Sequence, residues 1–388
     1  MSRILLPILL ILLCAVSLPA RAADLWSRTD ATELLAVIGA IGSDGLDPAD
    51  NDMRALQEAL SAGGENDWSA RASAAFLRLA GDLGNGHLRA RSTVAWHIEG
   101  PTLGEAAARG LLARALATHQ VRETLMSLLP QHRQYRLLKA ALAATPPRDK
   151  AGIERLRANL ERWRWMPRDL GSRYLLVNVP AFTVSLVDQG RVIERRRVIV
   201  GKRSTPTPQF AAKVSGIIFN PWWDVPDSIV RESVGALLRN HPAQARARGF
   251  VVASGRYRQA PGPGNALGQV KLVMPNPYRV YLHDTPSKQL FDQDVRAFSH
   301  GCIRVQDAAG LAASLLGGVP AATNREIGQT IALGRTVQSN LASPLPIYVT
   351  YFTAAIEDTG ELATFPDIYG RDGPVVAALV DRELDAGP

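Results

Sequence analysis

The sequence is short of the residues that staple, ligate and stack. It has two cysteines in 388 residues, Cys14 and Cys302, which excludes a fold framed by disulfides. Its seven histidines are scattered, with no cysteine or histidine at the spacing of a ligand set, so neither a metal nor an organic cofactor is expected. Aromatic residues make up 6% of the chain and no nucleic-acid motif is visible; nucleic acid is not expected as a partner. Apart from Ile4 to Leu18 there is no apolar run long enough to approach a membrane span. Acidic residues are outnumbered 36 to 44, leaving a net charge of +8. Such an excess favours an anionic partner, although arginines such as Arg195, Arg196 and Arg197 also suit a solvated face.

The exceptional run lies at the start. Arg3, the apolar stretch and Pro19-Ala20-Arg21-Ala22 have the charged, apolar, small-residue order of a secretory signal peptide over residues 1–22. The expectation is an exported protein with no transmembrane segment in its mature chain. Cleavage would remove Cys14 and leave Cys302 as a lone thiol. In an oxidising compartment such a thiol is either buried and inert or kept for chemistry.

Texture divides the rest into an α+β chain. Residues 24–165 read as helical, with Leu34, Leu35, Ile38 and Ile41 at helical spacing and further patterns over Met53–Ala62, Ala70–Leu83, Leu103–Ala117 and Tyr135–Ala144. From Arg173 the segments Tyr174–Val179, Phe182–Val187 and Val192–Val200 are β-rich, with a turn at Asp188-Gln189-Gly190. Shorter strands follow, among them Arg279–His283, giving a mainly β sandwich or barrel-like domain over residues 166–370 and a tail over 371–388. Residues 224–268 read as an inserted lid, with a helix at Asp227–Leu238 and a Pro/Gly-rich loop.

The chemistry concentrates in Tyr281-Leu282-His283, fifteen residues, then Ser299-His300-Gly301-Cys302-Ile303-Arg304. A thiolate is the attacking form of cysteine, and a nearby imidazole can take the proton. Period-two alternation puts Tyr281 and His283 on one face of a strand end and sends Val280 and Leu282 to the core. Gly301 lets backbone approach closely. The Cys302 N–H and the Tyr281 phenol are candidates for oxyanion stabilisation. These residues alone point to cysteine acyl transfer.

The His, spacer, Ser-His-Gly-Cys arrangement resembles the signature of the peptidoglycan L,D-transpeptidases. So do Val198–Lys202, Thr205–Pro208, Phe219–Pro226, Pro263–Gly268, His283-Asp284-Thr285-Pro286 and Asp294–Phe298. The helical half is similar to the scaffold of the family's long forms, without the peptidoglycan-binding module that commonly follows it. Family members often carry Asn two residues after the cysteine; here it is Arg304. The resemblance implies a periplasmic acyltransferase with Cys302 as nucleophile and His283 as base. Asp284 would orient the imidazole through its carbonyl, and Ser299, His300, Arg304, Arg296, Trp222 and Trp223 would contact substrate. Its partners would be stem peptides of peptidoglycan, a tetrapeptide donor and a diamino-acid acceptor, and carbapenem-type lactams would inhibit it covalently. An L,D-carboxypeptidase or endopeptidase using water, and a catalytically silent wall-binding scaffold, are the alternatives.

Overall fold

The computed structural model describes residues 26–62, 65–317 and 320–380; the expected signal peptide lies outside them. The helical half comprises α1 (Arg28–Ala40), α2 (Met53–Ala62), α3 (Glu65–Asn85), α4 (Glu105–Thr118), α5 (Val121–Met126), α6 (Arg133–Ala144) and α7 (Lys150–Arg164). Ser27 caps α1, its Oγ accepting the Asp30 N–H at 3.0 Å. The apolar face of α1 buries Leu34, Val37 and Ile38 against Phe76, Leu79 and Leu83 of α3 in a common core. Asp149 caps α7 in the same way, accepting from Gly152 N at 2.9 Å.

The helix α7 fastens this layer with a buried ion pair. Arg164 and Glu161 approach to 2.6 Å, both fully buried. Glu161 Oε1 accepts from the Leu88 and Trp165 nitrogens, each at 2.9 Å, and Arg164 donates to Asp44 O at 2.7 Å. Buried charges persist where partners and hydrogen bonds replace water. Here those partners come from three separate stretches of chain.

The β half contains β2 (Arg173–Asn178), β3 (Thr183–Asp188), β4 (Arg191–Gly201), β5 (Gln209–Phe219), β9 (Val270–Val273), β10 (Leu282–His283), β12 (Ile303–Val305) and β13 (Val337–Thr350). Their order is β5-β13-β2-β3-β4-β12-β10-β9, and β9 pairs back onto β5. The sheet closes on itself, which removes its edges. Alternation along β2 joins the halves. Leu175 and Val177 enter the barrel core, whereas Tyr174 and Leu176 pack with the helical core. One strand is contributed by the helical half: β1 (Trp96–His97) pairs with Gln209 and Phe210 of β5. Two residues are too few to show a period, so the sequence pattern does not announce it.

The insertion is more ordered than a loop. The expected helix at Asp227–Leu238 is α8 (Asp227–Ile229), a π-helical turn over Val230–Val234, and α9 (Gly235–Asn240); α10 (Pro242–Ala247) follows. A three-stranded sheet of β6 (Trp223–Asp224), β7 (Phe250–Ala253) and β8 (Arg256–Gln259) adjoins them. Trp223, Val225, Val234, Ala245, Phe250 and Leu267 give this unit its own small core. The remaining elements are β11 (Ala297–Ser299), α11 (Ala308–Leu316), α12 (Pro320–Ala332), the hairpin of β14 (Ala354–Ile356) and β15 (Leu362–Thr364), and α13 (Asp372–Ala378). Within the span read as a tail, α13 docks on α7, with Asp372 2.6 Å from Arg162.

Candidate active site

Three short strands build the site. His283 on β10 is in register with Lys271 of antiparallel β9 on one side and Arg304 of parallel β12 on the other. Directly paired residues share a sheet face, so Lys271, His283 and Arg304 form a row. Alternation adds Tyr281 and Cys302 to that face, while Val270, Leu272, Val280, Leu282 and Ile303 fill the barrel core behind it. The strand expected at Arg279–His283 starts only at Leu282, because Arg279 has φ +54° and turns the chain. All five cleft-face residues line an open cleft of about 1050 Å³, walled on one side by Trp223, Asp224, Ile229 and Tyr257 of the insertion.

Cys302 is a half-buried free thiol whose Sγ lies 3.8 Å from Arg279 O. Burial pushes its pKa up, and Tyr281, Lys271 and Arg304 work in the opposite direction. His283 is buried, and loss of hydration lowers its imidazole to about 4, with Arg304 adding to the effect. Its Nδ1 is 2.5 Å from Asp284 O. A carbonyl only accepts, so Nδ1 carries the proton and Nε2 is the basic nitrogen. The resting pair is a neutral thiol and a neutral imidazole. Among the described residues no hydrogen bond joins them directly; they are diagonal neighbours on one face.

The Asp284 carboxylate has separate work. It accepts from Gln269 N at 3.0 Å and pairs with Lys288, fastening the start of β9. Gly268 makes this possible: at φ +63°, a Cβ there would meet Asp284 Oδ2 at 2.4 Å. The nucleophile loop is held as tightly. Ser299 Oγ donates to Cys302 O at 2.5 Å and accepts from Gly301 N at 3.1 Å, and Thr207 Oγ1 donates to Gly301 O at 2.8 Å. Gly301 takes φ +112°, a conformation that favours glycine. No hydrogen bond from the Cys302 N–H is present among the described residues.

His300 reaches across to the insertion, its Nε2 2.8 Å from Glu232 Oε2, with Lys202 3.6 Å from the same carboxylate. Ser299, His300, Arg304 and Trp223 all border the cleft. Two expected substrate contacts stand elsewhere. Arg296 spans backbone carbonyls, reaching Gln293 O at 2.7 Å and Val198 O at 3.3 Å, and covers the Phe182 ring. Trp222 is exposed beneath Arg258, 4.8 Å from its ring, outside the cleft lining. The pattern had suggested contact from their neighbourhood in sequence, but alternation sends Trp222 to the side opposite Trp223. Lys271 was missed. Its signal is a lone charge inside the apolar strand Val270-Lys271-Leu272-Val273, a position worth a partner search. No group of three or more His, Cys, Asp or Glu residues able to hold a metal occurs among the described residues.

Residues 172–332 match the family model of the L,D-transpeptidase catalytic domain, and residues 22–142 match a scaffold-domain model. A Haemophilus influenzae protein assigned by name to the L,D-transpeptidases is 29% identical over 293 residues, 70% of this chain; the chain covers 59% of that relative's length. An L,D-transpeptidase structure from Mycobacterium smegmatis aligns over 46% of this chain and 58% of its own, with 14% identity and a TM-score of 0.25. Mycobacterium tuberculosis L,D-transpeptidase 3 with a faropenem-derived adduct aligns over 46% and 60%, with 12% identity and a TM-score of 0.24.

Proposed function

This chain belongs to the L,D-transpeptidase family, its catalytic domain preceded by a scaffold domain, and on that premise we propose that it cross-links peptidoglycan stem peptides through a Cys302 thioester. The supporting observation is the cleft face itself, which gathers the thiol, the Tyr281 side chain and an imidazole whose Nδ1 is held by Asp284 O.

In this mechanism His283 Nε2 takes the thiol proton as Cys302 Sγ attacks the carbonyl that precedes the terminal D-alanine of a donor tetrapeptide. The Cys302 N–H and Tyr281 hydroxyl donate to the oxygen that gains charge. Collapse breaks the C–N bond, His283 returns its proton to the leaving amine, and D-alanine departs. The side-chain amine of a second stem then attacks the thioester. His283 takes the amine's proton and returns it to sulfur as the C–S bond breaks. The neutral resting pair suits this sequence, because a base must be unprotonated before attack. The scaffold over 24–165 and the catalytic domain over 166–370 would work in the periplasm after loss of residues 1–22. The same thiol would be acylated by carbapenem-type lactams.

The test is product analysis on disaccharide-tetrapeptide. Native protein is expected to give D-alanine and cross-linked dimers, and Cys302→Ala and His283→Ala neither. Tripeptide without dimers from native protein would replace transfer by hydrolysis. Native-rate cross-linking by Cys302→Ala would end the proposal.

A further inference from the structure

The row across β9, β10 and β12 carries more positive charge than acyl transfer alone requires. Lys271 and Arg304 flank His283 in strict register, and both are half-buried at the cleft. Among the described residues neither side chain makes a hydrogen bond or an ion pair. The Lys271 ammonium lies 4.0 Å from the centre of the Tyr281 ring. Neighbouring carboxylates are engaged elsewhere: Asp224 with Arg258 at 2.8 Å, Asp284 with Lys288, and Glu232 with His300 at 2.8 Å.

Partly dehydrated cations without counter-ions are costly to keep. Their effect on the chemistry is divided: both favour the Cys302 thiolate, while Arg304 helps to depress the His283 imidazole. With the thiol neutral at rest, neither cation has an anion beside it in the cleft, and an occupant that completes them must be anionic. Its position beside the thiol fixes where that charge lies on a bound molecule, within a few bonds of the carbonyl that Sγ attacks.

We propose that Lys271 and Arg304 form a carboxylate-binding pair that selects acyl donors carrying a free carboxylate on the residue next to the scissile bond. For the tetrapeptide donor, an assignment that rests on the function proposed above, that group is the terminal carboxylate of the leaving residue. Binding it neutralises the pair, raises the basicity of His283 at the moment of attack, and places the scissile carbonyl over sulfur. A donor lacking that charge leaves two cations unpaired and a weaker base.

Alkylation of Cys302 tests the charge pair without any wall substrate. Iodoacetate and iodoacetamide react with the same sulfur and differ in one carboxylate, so their rate ratio reads anion binding apart from thiol reactivity. Adducts mapped to Cys302 by mass spectrometry should show the ratio exceeding that of free cysteine. It should fall roughly fivefold in Lys271→Met and in Arg304→Met, the size of one well-placed charge contact, and recover in Lys271→Arg. Equal slowing of both reagents, or an unchanged ratio in folded variants, would overturn the pair as an anion site. A second arm compares kcat/KM for a tetrapeptide and its C-terminal amide. The native preference for the acid should shrink in Lys271→Met, and an equal rate for acid and amide in native protein would overturn the selectivity. If neither donor turns over, the transpeptidase function fails, while the alkylation ratio still decides the charge pair.

Discussion

In α7, Arg164 lies 2.6 Å from Glu161 with both side chains out of contact with solvent; on the cleft face, Arg304 and Lys271 are partly covered and face no carboxylate of their own. Both places carry charge where hydration is incomplete. The first is closed, its hydrogen bonds drawn from Leu88, Trp165 and Asp44. The second is open. A charge whose partners all lie within the chain supports the fold, whereas one whose partner is missing marks where another molecule completes the structure. The same contrast holds for histidines. Both His132 and His283 are lowered to about 4 by burial. The former stacks on Trp163 at 4.3 Å, with its Nε2 3.3 Å from Tyr174 Oη, while the latter borders the cleft with its Nδ1 held by Asp284 O.

Substitutions should separate the two regions sharply. In the cleft, Cys302→Ala should reduce D-alanine release at least roughly a thousandfold and leave the thermal midpoint unchanged, as read by calorimetry. In α7, Arg164→Met strands Glu161 without its counter-charge. Denaturant unfolding should show a loss of about 3–5 kcal/mol, whereas Arg304→Met should stay within about 0.5 kcal/mol of native or exceed it. Comparable losses for the two arginines would erase the distinction between closed and open charge.

Acid should act on both regions through their histidines. Each has a folded pKa near 4 against an unfolded value near 6.5, so the unfolded chain binds more protons between those limits. Their contribution is full above about pH 6.5 and is lost as pH falls towards 4. His132→Phe, which keeps a stacking ring on Trp163, should flatten the decline in stability across that window. The acid limb of kcat/KM should lie near pH 4 rather than 6.5, reporting His283 in the free enzyme. The smallest effect is expected at the link between His300 and Glu232, both exposed enough for water to compete. Glu232→Gln should leave the denaturation midpoint unchanged, since water competes for an exposed pair, while speeding hydrogen exchange over residues 227–240.

Much of this was legible in sequence where a local pattern reports a local constraint. The alternation Val280-Tyr281-Leu282-His283 divided core from cleft, whereas Gly301, read as room for close backbone approach, is needed instead for its φ of +112°, since a Cβ there would meet nothing nearer than 3.9 Å. The helical periodicity of Leu34, Ile38 and Ile41 found α1. What escaped depends on distant partners. Lys271 acquires meaning only when β9 lies against β10. The strand at Trp96–His97 pairs with the start of β5, beyond the Gly216–Phe219 stretch that β9 takes to close the sheet, and the π-helical turn in the insertion places Val230 and Val234 in a small core with Trp223. Arg296 sits in a family-like stretch, yet its guanidinium is held by the Val198 and Gln293 carbonyls, a contact that no spacing in the chain displays.

The central claim is that Cys302 becomes acylated with His283 as its base, and the direct measurement is the intact mass of the protein quenched during turnover of disaccharide-tetrapeptide. The account predicts a mass increase equal to the donor minus alanine, mapped to Cys302 and absent from His283→Ala. Release of D-alanine at the native rate with the acyl group found on any other residue, or the same adduct forming at the native rate in His283→Ala, would contradict it.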